Sequence, residues 1–467
     1  MPRLRMSLEV VRAVLQGRKE QRGLFEEMVG FASGTGSLKN VHIMNDLAQT
    51  VCGGAPDEAG DLLCRIIREG FEDDRYDNSE AALRRDPRYG GAFERAYPVT
   101  LGAEQVRRLR LAARALLNVD GGMYVAGDQM ASSVATNIAL LGAEGFRRFR
   151  IGAFISSVLD DAGRQRIKEF YSTDTDPVSR TLKPIFQQGV LVDRVPRRSG
   201  KSSLTPLDQA LGDRLGVLLS QPLSKPLLLR YLALASCMAL ILKIYGAGRE
   251  AGRPALLALP SQSEGASRPL REKAVLSLRR GVAEFDRALS KRIAEVSDAA
   301  LWRSAKPGEA AVEVTEGDRL KASAALVEAL RGARSGGDDE EGKIYWPQDF
   351  AANLGRRAGF ILPKDGRAGW GNYLALSPEM VEVLVLMFVP HGQQLGWRTF
   401  WTRVRDELGL VIGTNQPEDA ALLEQAGVPN VSLQDLSDNA MALLEQSVRR
   451  GVARYLPDSG AEVGVYE

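Results

Sequence analysis

The stretch SPEMVEVLVLMFV occupies residues 377–389, and its reading as helix or strand decides what the C-terminal fifth of the chain is. Ser377 is a good N-cap, Pro378 suits the first helical position because its missing N–H would be unsatisfied there anyway, and Glu379 places an acid near the positive end of the helix dipole. These signals favour a helix, although the valines that follow leave a buried strand open. Outward from it, WRTFWTRVRDELG (397–409) and VSLQDLSDNAMALLEQSVRRG (431–451) read as two further helices, each closed by a glycine. VARYLPDSGAEVGVY (452–466) then reads as two strands joined across the turn cluster PDSG. Helix, helix, helix and β-hairpin is the order of a winged helix.

That module is commonly a DNA reader, but its charge argues otherwise here. Between residues 370 and 467 six arginines face thirteen acids, a net of −7, while the rest of the chain carries +9. Phosphate neutralisation supplies most non-specific DNA affinity, so a −7 module begins with repulsion. The third helix holds Asp435, Asp438 and Glu445, with positive charge only at Arg449 and Arg450. Protein docking is the preferred reading, with Trp397, Trp401, Arg449 and Arg450 as its candidate residues, since a fold does not fix a function.

Positive charge concentrates upstream. FRRFRIGAF (146–154) interleaves Arg147, Arg148 and Arg150 with aromatics, and DRVPRRSGK (193–201) gathers Arg194, Arg197, Arg198 and Lys201. These seven are the candidate nucleic-acid contacts. The helix read over 268–297 adds Arg268, Arg271, Lys273, Arg279, Arg280, Arg287, Lys291 and Arg292, diluted by acids. If such residues met on one face they would track a nucleic-acid backbone. A merely solvated basic surface is the competing reading.

The segment RRSGKSSL (197–204) invites comparison with a phosphate-binding loop. That loop needs a glycine five residues before the one preceding the lysine, so that its backbone can wrap the phosphates. Here Val195 stands at that place, followed by Pro196, which has no amide hydrogen to offer. The motif should also run straight into a helix, whereas the helix start falls later, near Thr205. The segment is a basic connection and not a nucleotide site. Glu341 and Lys343 have the E-x-K spacing of metal-dependent nucleases, which leaves a nuclease subunit as an alternative function. Those enzymes mount the pair on a core strand, however, and here it sits in the charged, glycine-flanked run RSGGDDEEGK (334–343).

The totals narrow the classes further. A chain of 467 residues, 44% hydrophobic and 26% charged, is ordinary for a globular protein of two or three domains. Three scattered cysteines fit a reducing cytoplasm, and with two histidines they give no zinc spacing. No cofactor or metal is expected. The most apolar run, Tyr231 to Leu242, is twelve residues against the roughly 20 a bilayer requires, so a buried helix and no membrane partner are expected. The fold class expected is mainly α, a multi-helical body with a C-terminal winged-helix-like α+β module. Its divisions are residues 1–90 (mixed and helical), 91–333 (helical body), 334–369 (linker and connector) and 370–467 (winged-helix-like).

The C-terminal part, GNYLALSPEMVEVLVLMFV through GVARYLPDSGAEVGVYE, resembles accessory proteins of bacterial anti-phage islands, in particular the G component of phosphorothioation-dependent or related methylation-linked restriction systems. The likeness covers about a fifth of the chain and is carried by LPDSGAEVGVY, similar to that family's serine-glycine-acid turn before the last strand, although the residue order after the turn differs. The resemblance implies a subunit beside a translocase-type ATPase, with no catalytic residues to carry over. The function expected is therefore a non-catalytic adaptor of a cytoplasmic defence complex, contacting double-stranded DNA through its basic body. A stand-alone winged-helix DNA-binding regulator is the remaining alternative.

Overall fold

The computed structural model describes residues 24–31, 43–44, 46–47, 50–51, 119–120, 123–124, 150–172, 204–249, 252–261, 267–296, 316–332, 347–363, 371–457 and 460–464. In chain order the elements are α1 (Leu24–Val29), β1 (Val119–Asp120), β2 (Met123–Tyr124), α2 (Ile151–Val158), α3 (Asp161–Ser172), α4 (Pro206–Leu219) and α5 (Lys225–Gly246). There follow β3 (Leu256–Pro260), α6 (Arg268–Val296), α7 (Glu316–Gly332), α8 (Pro347–Ala358), β4 (Ile361–Leu362) and β5 (Tyr373–Leu376). The chain continues through α9 (Pro378–Phe388), β6 (Gln394–Gly396), α10 (Trp397–Leu408), β7 (Leu410–Val411), α11 (Gln416–Gln425), α12 (Leu433–Arg450), β8 (Ala453–Tyr455) and β9 (Ala461–Gly464). The protein is mostly helical with a few short strands, as its composition and periodicity indicate.

It divides into two compact units. One comprises residues 38–203 and 212–236; the other comprises 1–37, 204–211 and 237–467. In the first unit small residues permit close approach. Gly152, in the opening turn of α2, donates its amide to the Asp46 carboxylate at 2.6 Å. On α4, a Cβ at Gly212 would lie 2.0 Å from the Val158 carbonyl oxygen, so only glycine lets that backbone pass.

The second unit is organised around β3. Its five residues, LLALP, are buried on both faces, as befits a strand covered on both sides. β3 pairs in parallel with β5 on one side and β7 on the other, and β4 closes the edge antiparallel to β5, giving the order β4-β5-β3-β7. Leu257 and Leu259 pack with Leu270 and Ala274 of α6 and with Leu423 and Leu436 of α11 and α12. Asn439 of α12 donates its side-chain amide to Ala258 O at 3.0 Å and to Ile412 O at 2.9 Å, locking that helix across the strands. At the entry to β7, Gly409 has a φ of +75°, and a Cβ there would fall 1.9 Å from Pro254 O. A side chain at Gly409 would therefore meet both backbone strain and a clash with the residue leading into β3.

This sheet corrects two expectations. The boundary read at residue 370 cuts through it, because β3 belongs to the region read as helical body while β5 and β7 lie beyond. The region read as linker and connector likewise contributes α8 and β4 to the same unit. The three C-terminal helices do form where their caps indicate. The Ser377 hydroxyl accepts from Met380 N at 3.1 Å, that of Ser432 accepts from Asp435 N at 3.2 Å, and Gly409 and Gly451 close α10 and α12 in the left-handed conformation. A second, three-stranded antiparallel sheet has the order β6-β9-β8. Between α10 and α12, however, the chain inserts β7 and α11, which the spacing of caps and glycines does not announce.

The most apolar run lies inside a longer helix. α5 runs through both Arg230 and Lys243, and Leu227–Gly246 is the one described helical stretch long and apolar enough to cross a membrane; 89% of it is buried inside the protein. Cys237 lies within it, and burial pushes its thiol well above the usual range. Helix continues past Lys243 because the ammonium finds Asp208 Oδ2 at 2.8 Å and the Thr205 hydroxyl at 3.1 Å. Thr205 and Asp208 cap each other at the start of α4, each accepting the other's backbone amide. Both charged groups of the pair are nearly inaccessible, at 6% and 5%. Removing one partner should leave an uncompensated buried charge, so Asp208→Leu should lower unfolding free energy by about 3–5 kcal/mol. The double replacement Asp208→Leu/Lys243→Met should recover most of the loss in urea denaturation.

Candidate functional site

The seven candidate nucleic-acid contacts divide sharply. Arg147, Arg148, Arg194, Arg197, Arg198 and Lys201 lie outside the described residues, as do Glu341 and Lys343. Arg150 is described: it is exposed and sits ahead of α2 with a φ of 54°, turning the chain into that helix.

The four candidate protein contacts also separate, and here the structure corrects the reading of the two tryptophans. The 3.6-residue period of α10 points Trp397, Phe400, Trp401 and Val404 inward together. Trp401 is 1% exposed and Trp397 9%. The Phe400 and Trp401 ring centroids are 5.1 Å apart at 70°, and Phe388 of α9 meets Phe400 edge-on at 5.9 Å. These rings are the core that joins α9 to α10 and are not presented at a surface. Trp401→Ala should accordingly cost about 3–5 kcal/mol of stability in denaturant unfolding. A surface anchor would show no such loss.

Arg449 and Arg450 do reach the surface, in the last turn of α12, where their charges complement the helix dipole. They line a cleft of about 320 Å³ with Pro260, Pro378, Glu445 and Gln446. The cleft therefore opens where β3 ends and α9 begins, at the carboxyl ends of the parallel strands, the usual place for ligands in such sheets. Gln446, itself buried, spans to Leu376 O at 3.0 Å and fixes the cleft floor to β5. Each arginine already has a carboxylate: Arg449 meets Glu445 at 3.2 Å and Arg450 meets Glu382 at 2.6 Å. Four opposed charges cancel, so the cleft is polar without being an anion trap.

The outward face of α12 was not singled out from the sequence as a site. Gln434, Asp438, Met441 and Glu445 recur at spacings of four, three and four and are all exposed. Met441 is 48% exposed, with Leu433 at the helix start 51% exposed. The signal that could have found them is the period itself, since the buried positions Leu436, Asn439, Ala440, Leu443 and Leu444 leave this stripe outside.

The insertion between α10 and α12 is held by Asp419. Its carboxylate accepts from Gly413 N at 3.0 Å and Asn415 N at 3.3 Å and pairs with Arg405 at 3.0 Å. Burial pushes this carboxyl up from the usual range, partly offset by Arg405 and the two amides. It is a structural clamp on the loop that sets β7.

On α6, two of the basic residues noted in the sequence are used internally. Lys273 donates to Pro429 O at 2.5 Å and Arg280 Nε to Gly427 O at 3.0 Å, satisfying carbonyls beyond the end of α11. Among the described residues no group of three or more His, Cys, Asp or Glu is placed to hold a metal ion. Comparison with protein-family models gives no match, and comparison with curated proteins gives none either.

Proposed function

We propose that the chain is a non-catalytic adaptor whose C-terminal segment docks a protein while its positive body contacts DNA. In this reading residues 371–464 are a winged helix: α9, β6, α10, α12 and the β8–β9 hairpin follow one another in that order, with β7 and α11 as an insertion. The sheet order β6-β9-β8 is what a wing folded back beside its first strand produces. α12 then stands in the recognition position.

The observation that carries the protein-docking half is the exposed face of α12, where Asp438 and Glu445 flank a half-exposed Met441 and no cation is central. Such a face repels phosphate and suits a basic, amphipathic protein segment. A stand-alone DNA regulator would place arginine or lysine there. The likeness of the C-terminal stretch to G components of anti-phage restriction systems supplies the setting, a subunit beside a translocase-type ATPase.

A photo-reactive residue at position 441, expressed in the native host, tests the dock. It should give a discrete cross-linked protein that disappears when Asp438 and Glu445 are changed to lysine. The same label at exposed Arg398 should not give it. Cross-linking to DNA from position 441, or identical products from both positions, contradicts the reading.

A further inference from the structure

We infer that α6 carries the DNA contact, as a line of cations that meets the phosphate backbone of a duplex. The inference rests on the reading that the positive body engages DNA, and it names where.

α6 is 29 residues long, and Lys273, Arg280, Arg287 and Lys291 recur along it at spacings of seven, seven and four. At 100° per residue these four stay within about 40° of one another, on one side of the helix. At 1.5 Å per residue they stand about 10.5, 10.5 and 6 Å apart along a straight axis. Arg280, Arg287 and Lys291 are exposed, and Lys273 is half-buried. Among the described residues Arg280 engages only its Nε, with Gly427 O, and the side chain remains exposed. Arg287 and Lys291 take part in no ion pair or hydrogen bond among the described residues.

Between residues 273 and 291 the carboxylate on this side of the helix is Glu284, and Arg249 neutralises it through two contacts of 2.6 and 3.1 Å. The other acid in that interval, Asp286, projects about 120° away from Arg280. The line therefore keeps its positive charge, in contrast to the cleft at Arg449 and Arg450.

The surroundings of the line choose the ligand. A helix that lies on a membrane needs exposed apolar side chains to insert, and the exposed large hydrophobics among the described residues are Leu320, Leu433, Met441 and Tyr455, none on α6. Single-stranded nucleic acid is held by stacking on exposed aromatics, and the aromatic residue of α6, Phe285, is fully buried against Phe25. A duplex presents a phosphate charge about every 1.7 Å of its axis, so cations on a rigid line find partners in any sequence. The contact is thus sequence-independent.

The test is binding of the full chain to a mixed-sequence duplex over a salt series, comparing the unaltered protein with Arg287→Gln/Lys291→Gln. Both residues are exposed and, among the described residues, unpaired, so thermal unfolding of the variant should match that of the parent. Arg398→Gln/Arg403→Gln, which removes the same charge from exposed positions of α10, is the control. The proposal expects the α6 variant to lose at least tenfold in affinity at low salt and about two units of salt slope, with the control unchanged. Equal losses in variant and control, or none in either, overturn the assignment to α6 while leaving a DNA-binding body intact. Absence of duplex binding by the unaltered chain overturns both that reading and this inference. Transfer of the α6-dependent binding to phosphatidylserine vesicles, with none to duplex, overturns the choice of ligand.

Discussion

A five-residue strand with no charged side chain, Leu256–Pro260, is the piece on which the larger unit depends. Parallel pairing on both sides satisfies its backbone in a place water does not reach, and an unpaired buried amide there would cost on the order of 1–3 kcal/mol. The strands that pair with it come from 116 and 154 residues later in the chain, as the registers of Ala258 with Leu374 and Leu256 with Leu410 state. Helices then cover it: α6 through Leu270 and Ala274, and α12 through Leu436 and the Asn439 amide. The candidate surfaces all hang on this frame. The cleft opens where β3 ends, the outward face of α12 is set by the inward grip of Asn439, and the line of cations on α6 stands about a quarter-turn round the helix from the face that covers β3.

The frame also changes what the C-terminal segment is. Three helices and a hairpin with their own aromatic core around Trp401 look self-sufficient. Yet the segment lends β5 and β7 to a sheet whose central strand lies outside it. A chain ended at residue 369 would deprive β3 of both neighbours, so a truncation there disturbs the remainder as well as removing the segment. The insertion that makes this possible is short, and its conformation is held by Asp419, Arg405 and the left-handed glycines at 409 and 413.

The parts of this architecture that were legible in the sequence are those with local signatures. Ser377-Pro378-Glu379, Gly409 and Gly451 mark helix ends by chemistry that acts within one turn, and the structure has helix ends there. β3 was illegible because LLALP has neither alternation nor β-branched residues; its identity as a strand comes from partners more than a hundred residues away. Trp397 and Trp401 were misread for a related reason. Aromatic residues serve cores and interfaces alike, and only the inward period shared with Phe400 and Val404 separates the two uses. On α6 the basic residues were visible as a list, but which of them face outward unpaired became clear only once Glu284 was matched to Arg249 and Lys273 to Pro429.

The central claim is that β3 and the C-terminal segment form one cooperative structure. Native-state hydrogen exchange read by mass spectrometry tests it most directly. The account predicts that peptides covering 255–261, 373–377 and 409–412 lose protection together, with one opening free energy and one denaturant dependence. Protection that persists across 371–464 after 255–296 has opened would contradict it and make the C-terminal segment an independent domain.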